Sequence, residues 1–267
     1  MSPEKFDRRS QLAAARATLA ASGKSPRELG REKMQTILNW LYRWGVSSTA
    51  ILSILLQKNA GAIVNRLANH GFINQTKTKS GSPASFLTLS QVGLEEATRQ
   101  AEKLLPYLEI DPFRVNQNLL RHNLLTQQLT CSAWMNYEIT GFQTEKEISL
   151  EGDHRNTKRP DAIWSMIDGP VTAIEVELSP KWERDLDQFV LGVVLALMQT
   201  EKQPRRFDKF IVFSDSLAIL TRYQTAMSPG APLKTWKKNT RGYWFVDETL
   251  SVPKWLLERV EFRAIED

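Results

Sequence analysis

The sequence predicts an α/β chain in two parts, a basic helical part followed by a sandwich built on a mixed sheet. Basic charge is concentrated in the first 100 residues, and helix and strand patterns alternate in the second half. Asp111-Pro112 marks the boundary, because the residue before a proline disfavours helical backbone. We therefore expect a basic N-terminal arm over 1–30, a first domain over 31–108 and a second over 112–267.

The distribution of charge indicates an anionic partner. Residues 1–100 carry 14 Lys and Arg against 6 Asp and Glu, whereas the remaining residues carry 21 against 24, and the whole chain has a net charge of +5. A basic segment of this kind is typical of proteins that bind a phosphate backbone. DNA is therefore the expected partner of the first domain.

Cysteine content and hydrophobicity indicate the compartment. The single Cys131 offers no disulfide framework, and its apolar helical context predicts a buried, inert thiol. No segment approaches the roughly 18 consecutive apolar residues that a membrane span requires. The N-terminal residues also lack an apolar signal core. We therefore expect a cytoplasmic protein without membrane insertion.

Several enzyme classes are excluded by missing motifs. The three histidines, His70, His122 and His154, are scattered, and no zinc-site spacing accompanies them. The sequence contains no nucleophile-elbow, phosphate-loop or dinucleotide-binding motif. Acidic residues therefore remain as the main candidates for chemistry.

The first domain shows helices followed by a pair of strands. Apolar residues recur at helical spacing, Ser47-Ser48 offers a helix cap, and Gly71 follows the third helix as a stop. A helix over 10–21 is also expected within the arm. The predicted elements are helices over 31–44, 49–56 and 58–69, strands over 71–77 and 85–89, and a helix that begins near 91 and stops near 106.

This order of elements resembles that of winged-helix DNA-binding proteins, as does the junction Leu87-Thr88-Leu89-Ser90. In such folds the third helix enters the major groove and the hairpin contacts the backbone. A winged helix used for protein pairing is the alternative. The resemblance implies DNA contacts from Lys58, Asn59, Asn65 and Arg66 in the helix region and from Lys77 and Lys79 on the hairpin.

The second domain alternates strands and helices. Asp168-Gly169 is a strong hairpin signal, and Pro180 stands where proline is tolerated at the start of a helix. The predicted elements are helices over 115–134, 180–200 and 216–226, and strands over 145–150, 160–166, 171–178, 209–214 and 242–246.

Three carboxylates are expected to meet at one edge of this sheet. Asp161 enters one strand, and Glu175 and Glu177 point to the same face of the next strand because side chains alternate. Carboxylates gathered in this way repel one another unless a cation lies between them. We therefore expect Asp161, Glu175 and Glu177 to bind Mg²⁺ or Mn²⁺.

The segments 159–161 and 173–181 resemble the core of PD-(D/E)xK nucleases, which have a restriction-endonuclease-like α/β sandwich. Together with 121–124 and the preceding winged helix, they are most similar to the replication-relaxation group, which includes the C-type mobilisation relaxases (MOBC) of plasmids. The resemblance covers about 31–215. The tail from 216 onward is not explained by it.

The resemblance implies a metal-dependent relaxase that nicks DNA at the transfer origin of a mobilisable plasmid or integrative element. Its expected partners are double-stranded DNA, single-stranded DNA, a coupling protein and relaxosome accessory proteins. The implied catalytic residues are Asp161, Glu175 and Glu177, the last standing where such nucleases carry a lysine. Lys181 is the expected replacement for that positive charge, and Glu147 is a further candidate carboxylate.

Several alternatives remain open on the sequence. The nucleophile is either water or a tyrosine, for which Tyr223 and Tyr243 are candidates. His122 has either a packing or a functional role, and Trp236 either stacks on single-stranded DNA or anchors a loop. The carboxylates can instead be a structural or inactive site facing solvent and paired with Lys181 and Arg184. The protein is then a DNA-binding regulator or a relaxosome accessory, and a restriction- or repair-type endonuclease is a third possibility.

Overall fold

A computed structural model describes residues 23–150, 152, 157–200 and 204–265. The arm helix expected over 10–21 and His154 lie outside these residues. The helices are α1 (Pro26–Trp44), α2 (Thr49–Leu55), α3 (Gly61–Asn69), α4 (Gln91–Thr98), α5 (Leu120–Met135), α6 (Glu145–Ser149), α7 (Glu183–Leu197) and α8 (Leu217–Ala226). The strands are β1 (Ile73–Lys77), β2 (Ser85–Leu89), β3 (Ile139–Thr144), β4 (Ala162–Met166), β5 (Val171–Val176), β6 (Lys209–Ser214), β7 (Pro232–Lys238), β8 (Trp244–Ser251) and β9 (Val260–Ala264).

The first part of the chain consists of α1, α2 and α3 followed by the antiparallel pair β1–β2. Helix α1 starts earlier than predicted, because Ser25 and Glu28 form a reciprocal capping box at its beginning. Helix α3 starts later than predicted, at Gly61. The Asn59 side chain accepts a hydrogen bond from the Gly61 amide at 2.8 Å, which fits a turn that precedes the helix.

The linker between the two parts is less helical than predicted. Helix α4 ends at Thr98, well before Pro106, and α5 begins only at Leu120. Between them, the Asp111 and Asn116 side chains accept hydrogen bonds from backbone amides two residues ahead. Such local bonds compete with helical ones and favour the short 3₁₀ turns that replace the predicted helix start.

The second part is built on a five-stranded mixed sheet, which confirms the predicted mixed α/β class. The strand order is β3-β4-β5-β6-β9, with β3, β4 and β5 antiparallel and β5, β6 and β9 parallel. One face of the sheet packs against α5 and the first part of the chain, and the other packs against α7 and α8. The sheet therefore lies between two apolar cores.

One prediction about the strands is wrong. The segment predicted as a strand over 145–150 is helix α6, and the first strand of the sheet is β3, just before it. Thr144 and Glu147 form a capping box that starts this helix. The tail from 216 onward also contains more structure than was predicted: β7 and β8 form a separate hairpin, and β9 completes the main sheet.

The two parts of the chain share one of the cores. Trp40 of α1 donates a hydrogen bond from Nε1 to Gln127 Oε1 of α5 at 2.9 Å, and Gln127 Nε2 donates to the Val46 carbonyl at 2.8 Å. Trp40 also stacks on Trp134 of α5 and contacts Phe142 of β3. The first part is therefore packed directly against the second.

Cys131 is fully buried in this shared core, as predicted. Burial raises the pKa of its thiol to about 12, which is the behaviour of an unreactive cysteine. Across the described ranges, no helix combines the length and apolar character needed to cross a membrane.

Candidate active site

The three predicted carboxylates lie together where β4 begins and β5 ends. Asp161 immediately precedes β4, Glu175 lies in β5 and Glu177 follows β5. The Asp161 amide donates to the Ile174 carbonyl at 2.9 Å, and the Val176 amide donates to Asp161 Oδ2 at 2.8 Å. The Asp161 side chain is therefore held by the backbone of the strand that carries Glu175.

Glu175 is the most deeply buried carboxylate of the site, with a residue exposure of 3%. Its Oε1 lies 2.7 Å from Lys158 Nζ, while Oε2 is buried without a hydrogen-bond partner among the described residues. Burial raises the pKa of Glu175 well above its usual value, and the nearby charge of Asp161 adds to the effect. Glu175 Oε2 is therefore available to accept a hydrogen bond or to bind a cation.

Lys158 belongs to the site, although no pattern in the sequence marks it. Its backbone amide donates to the Gly192 carbonyl of α7 at 3.0 Å, and its side chain reaches Glu175. A Cβ atom at position 192 would lie 2.8 Å from the backbone nitrogen of Lys158, so only glycine lets the Lys158 backbone approach α7 this closely. Burial disfavours the charged ammonium, but Glu175, Asp161 and Glu177 outweigh it and raise the pKa of Lys158.

Glu177 and Lys181 form an ion pair, but the pair does not lie at the surface as the alternative prediction required. Glu177 is instead buried, with a residue exposure of 5%, and Lys181 Nζ contacts its Oε1. The Lys181 ammonium also lies 5.0 Å from the ring centre of Phe189. Lys181 therefore brings positive charge to the site, although it holds Glu177 in this structure.

His122 joins the site from α5. Its Nε2 lies 3.1 Å from Asp161 Oδ2 and its Nδ1 lies 3.1 Å from Asn123 Oδ1. Burial lowers the pKa of the ring, but Asp161 outweighs it and raises the pKa of His122 to about 9. An imidazolium donates from both nitrogens, and both neighbouring oxygens can accept these hydrogen bonds. A cleft of about 140 Å³, lined partly by His122, Asp161 and Trp44, adjoins this pair.

The site thus balances three carboxylates with three cationic side chains. Among the described residues, no three side chains of the His, Cys, Asp or Glu type are grouped as ready ligands for one metal ion. Mg²⁺, however, is commonly bound through only one or two carboxylates together with water and substrate phosphate. The pair Asp161 and Glu175, with the unpartnered Glu175 Oε2, fits that requirement.

Two other predicted participants do not have the expected role. Glu147 pairs with Arg43 of α1 at 2.8 Å, because it lies on α6 rather than on a strand of the sheet. Tyr223 of α8 is fully buried, and both burial and the charge of Glu177 raise the pKa of its hydroxyl. A high pKa disfavours the phenolate that a tyrosine nucleophile requires.

The six predicted DNA contacts are all exposed on the first part of the chain. Lys58 and Asn59 precede α3, while Asn65 and Arg66 lie in it. The neighbouring Lys33 ammonium lowers the pKa of Lys58 to about 8, which shows that cations are crowded at this surface. On the hairpin, Lys77 ends β1 and Lys79 follows in the loop; the backbone amide of Lys79 donates to Gln117 Oε1 at 2.8 Å.

Comparison of the chain with protein families, curated proteins and solved structures gave no match. The geometry of the site therefore carries the functional argument.

Proposed function

We propose that this protein is a metal-dependent endonuclease that nicks one strand of DNA. One observation carries the proposal: Asp161 and the buried Glu175 adjoin at the end of β5, with Lys158 and His122 beside them. Hydrolysis of a phosphodiester requires charge neutralisation at phosphorus, activation of a nucleophile and stabilisation of a leaving oxygen. This cluster contains acidic and cationic groups suited to those tasks.

Asp161 and Glu175 are the residues that would hold Mg²⁺ or Mn²⁺. When bound, such a cation neutralises phosphate charge and lowers the pKa of the attacking nucleophile. PD-(D/E)xK nucleases usually carry a lysine at the position that Glu177 occupies. Lys158 would supply the positive charge that such a lysine brings. His122, whose Nε2 lies 3.1 Å from Asp161 Oδ2, is placed to donate a hydrogen bond to a phosphate oxygen or, when protonated, a proton to a leaving oxygen that reaches the cleft.

The first part of the chain is proposed to be a winged helix that binds duplex DNA and presents it to this site. The exposed cations Lys58, Arg66, Lys77 and Lys79 would contact phosphates or base edges. The resemblance to mobilisation relaxases extends the proposal to a transfer origin as the DNA, with a coupling protein as a later partner.

Conversion of supercoiled plasmid to open circles tests the nuclease. With Mg²⁺ or Mn²⁺, we expect the wild-type protein to nick a plasmid that carries its origin, and Asp161→Asn to lower the rate roughly 100-fold. Asp168→Asn is the matched control, because Asp168 lies in the turn at the opposite end of β4 and β5. Equal nicking by wild type and Asp161→Asn would overturn the proposal, and linear product would instead indicate a double-strand endonuclease.

A second function is favoured by a different observation. Glu175 and Glu177 are each paired with a lysine, and the described residues contain no three-ligand metal group. This arrangement also suits a DNA-binding regulator or a relaxosome accessory that retains the fold without cleavage. Sequence-specific binding that survives Asp161→Asn, together with no metal-dependent nicking by either protein, is the result expected for that function.

A further inference from the structure

Two exposed indole rings lie under cationic side chains close to the carboxylate site. The Arg222 guanidinium is 3.3 Å from the ring centre of Trp182, and Trp182 is 60% exposed. Arg184 and Lys238 lie 4.8 and 5.0 Å from the ring centre of Trp244, which is 41% exposed. We refer to these five residues as the cation–aromatic track.

The track is joined to the carboxylate site at two points in the chain. Trp182 directly follows Lys181, whose ammonium contacts Glu177. Arg222 directly precedes Tyr223, whose ring centre lies 5.9 Å from the same ammonium. The first pair of the track therefore lies next to the candidate site. Arg184, two residues after Trp182, contacts the Trp244 ring and so connects the first pair to the second.

The β7–β8 hairpin, which carries the second pair, is strongly basic near its tip. Residues 232–246 contain four cations and no acidic side chain, and Tyr243 and Phe245 are exposed beside Trp244. Trp236 is not one of the free rings, because its Nε1 donates to Asp187 Oδ2 of α7 at 2.8 Å. It anchors the hairpin against α7, the helix that begins just after Lys181.

We propose that the cation–aromatic track binds single-stranded DNA. Exposed aromatic faces with interleaved cations suit this ligand, because unpaired bases stack on the rings while phosphates contact the cations. The bases of a duplex are already stacked on one another and do not offer these faces. Placing the strand next to Glu177 rests on the proposed function, whereas the binding itself does not.

Asp185, the acidic neighbour bound to Arg184, does not block a phosphate. Asp185 accepts hydrogen bonds from Arg184 at 2.9 and 3.1 Å, but its side chain is 61% exposed. Exposed ion pairs of this kind contribute little free energy, so a phosphate can replace the carboxylate at Arg184.

Binding of a fluorescein-labelled oligothymidylate, followed by anisotropy in EDTA, tests the track without cleavage. We expect Trp182→Ala and Trp244→Ala each to weaken binding roughly 10-fold, and binding of a duplex to change less than about two-fold. Phe113→Ala is the matched control, because this ring is 93% exposed and lies outside the track. Arg222→Gln is expected to lower the slope of log affinity against log salt by about 0.7.

Unchanged oligothymidylate binding by both tryptophan variants would overturn the proposal, as would an equal loss of single-strand and duplex binding. If an alanine variant melts at lower temperature than wild type, Lys238→Gln replaces it, because this exposed side chain can be changed without disturbing the core. Weaker binding by Lys238→Gln then supports the track, and unchanged binding contradicts it. If the tryptophan variants lose oligothymidylate binding but the wild type does not nick DNA, the track is supported and the nuclease is rejected. If the wild type nicks DNA but the tryptophan variants bind as well as it does, only the track is rejected.

Discussion

At the scale of single residues, the ion pair between Lys158 and Glu175 determines how the site is held. A buried charge is costly unless a partner of opposite charge is close, and the two side chains lie 2.7 Å apart with Glu175 almost fully enclosed. Asp161 and Glu177 add further negative charge around the same ammonium. Lys158 therefore has a structural role in addition to any contact with phosphate.

Removing Lys158 alone should destabilise the protein strongly. We expect Lys158→Met to lower the free energy of unfolding by about 3 kcal/mol, because it leaves a buried carboxylate cluster without its cation. The double variant Lys158→Met/Glu175→Gln should be more stable than Lys158→Met alone, as measured by urea denaturation. The control is Lys209→Met, which removes a surface pair with Glu261 and should cost at most about 1 kcal/mol. A double variant no more stable than the single one would contradict this role.

At the scale of elements, Asp208 fixes the start of β5 against the start of β6. Its backbone amide donates to the Val171 carbonyl at 2.8 Å, and its Oδ2 accepts from the Val171 amide at 2.9 Å. The Val171 amide, followed by the Arg205 guanidinium, lowers the pKa of the Asp208 carboxyl. Because Glu175 lies on β5, the alignment of these two strands also positions the site.

The lowered pKa of Asp208 predicts how stability depends on pH. A carboxyl with a depressed folded pKa stabilises the protein above its unfolded value, near 3.9, and loses this contribution as pH falls through the folded value. Asp208→Asn should therefore cost about 1 kcal/mol at pH 7 and show a smaller difference from wild type in strong acid. Urea denaturation at the two pH values measures this, with exposed Asp168→Asn as control. A difference that is constant or larger in acid would contradict the assignment.

The sequence predicted those elements and contacts that depend on local patterns. Strand β6 has the predicted bounds. Glu175 and Glu177 both place their charge near the Lys158 ammonium, as expected for residues on one face of a strand, because the alternation of side chains is a local property. Helix α6 was missed although Thr144 and Glu147 form a recognisable capping-box spacing. Lys158 was not predicted, because its side chain meets Glu175 only when 158 packs against Gly192 of α7. Such long-range packing has no periodic signal in the sequence.

At the scale of the whole molecule, the first part and the sheet domain are joined by buried polar contacts as well as apolar ones. Gln127 is fully buried and uses both its oxygen and its nitrogen to bridge Trp40 and Val46. Arg43 of α1 adds hydrogen bonds to Glu147 and to the Phe142 carbonyl. Because a buried group without its partner is costly, these contacts oppose separation of the two parts.

The two parts should therefore unfold together. Tryptophan fluorescence and far-ultraviolet circular dichroism are expected to give one coincident urea transition. Gln127→Ala should lower the free energy of unfolding by about 2 kcal/mol, because it leaves the Trp40 N–H and the Val46 carbonyl without partners. Gln91→Ala, on the exposed start of α4, is the control. Two separate transitions in the wild type would show that the parts fold independently.

If the first part binds duplex DNA as proposed, the bridge through Gln127 also determines how far that DNA lies from the carboxylates. Since the first part is seated on α5, which itself carries His122, the spacing between a bound duplex and the carboxylates is a rigid dimension of the folded chain. The irregular linker over 99–119 then connects two parts whose separation is already set by their packing. If the protein cuts DNA, the number of base pairs between the bound sequence and the cut is determined by this packing and is independent of the length of the linker.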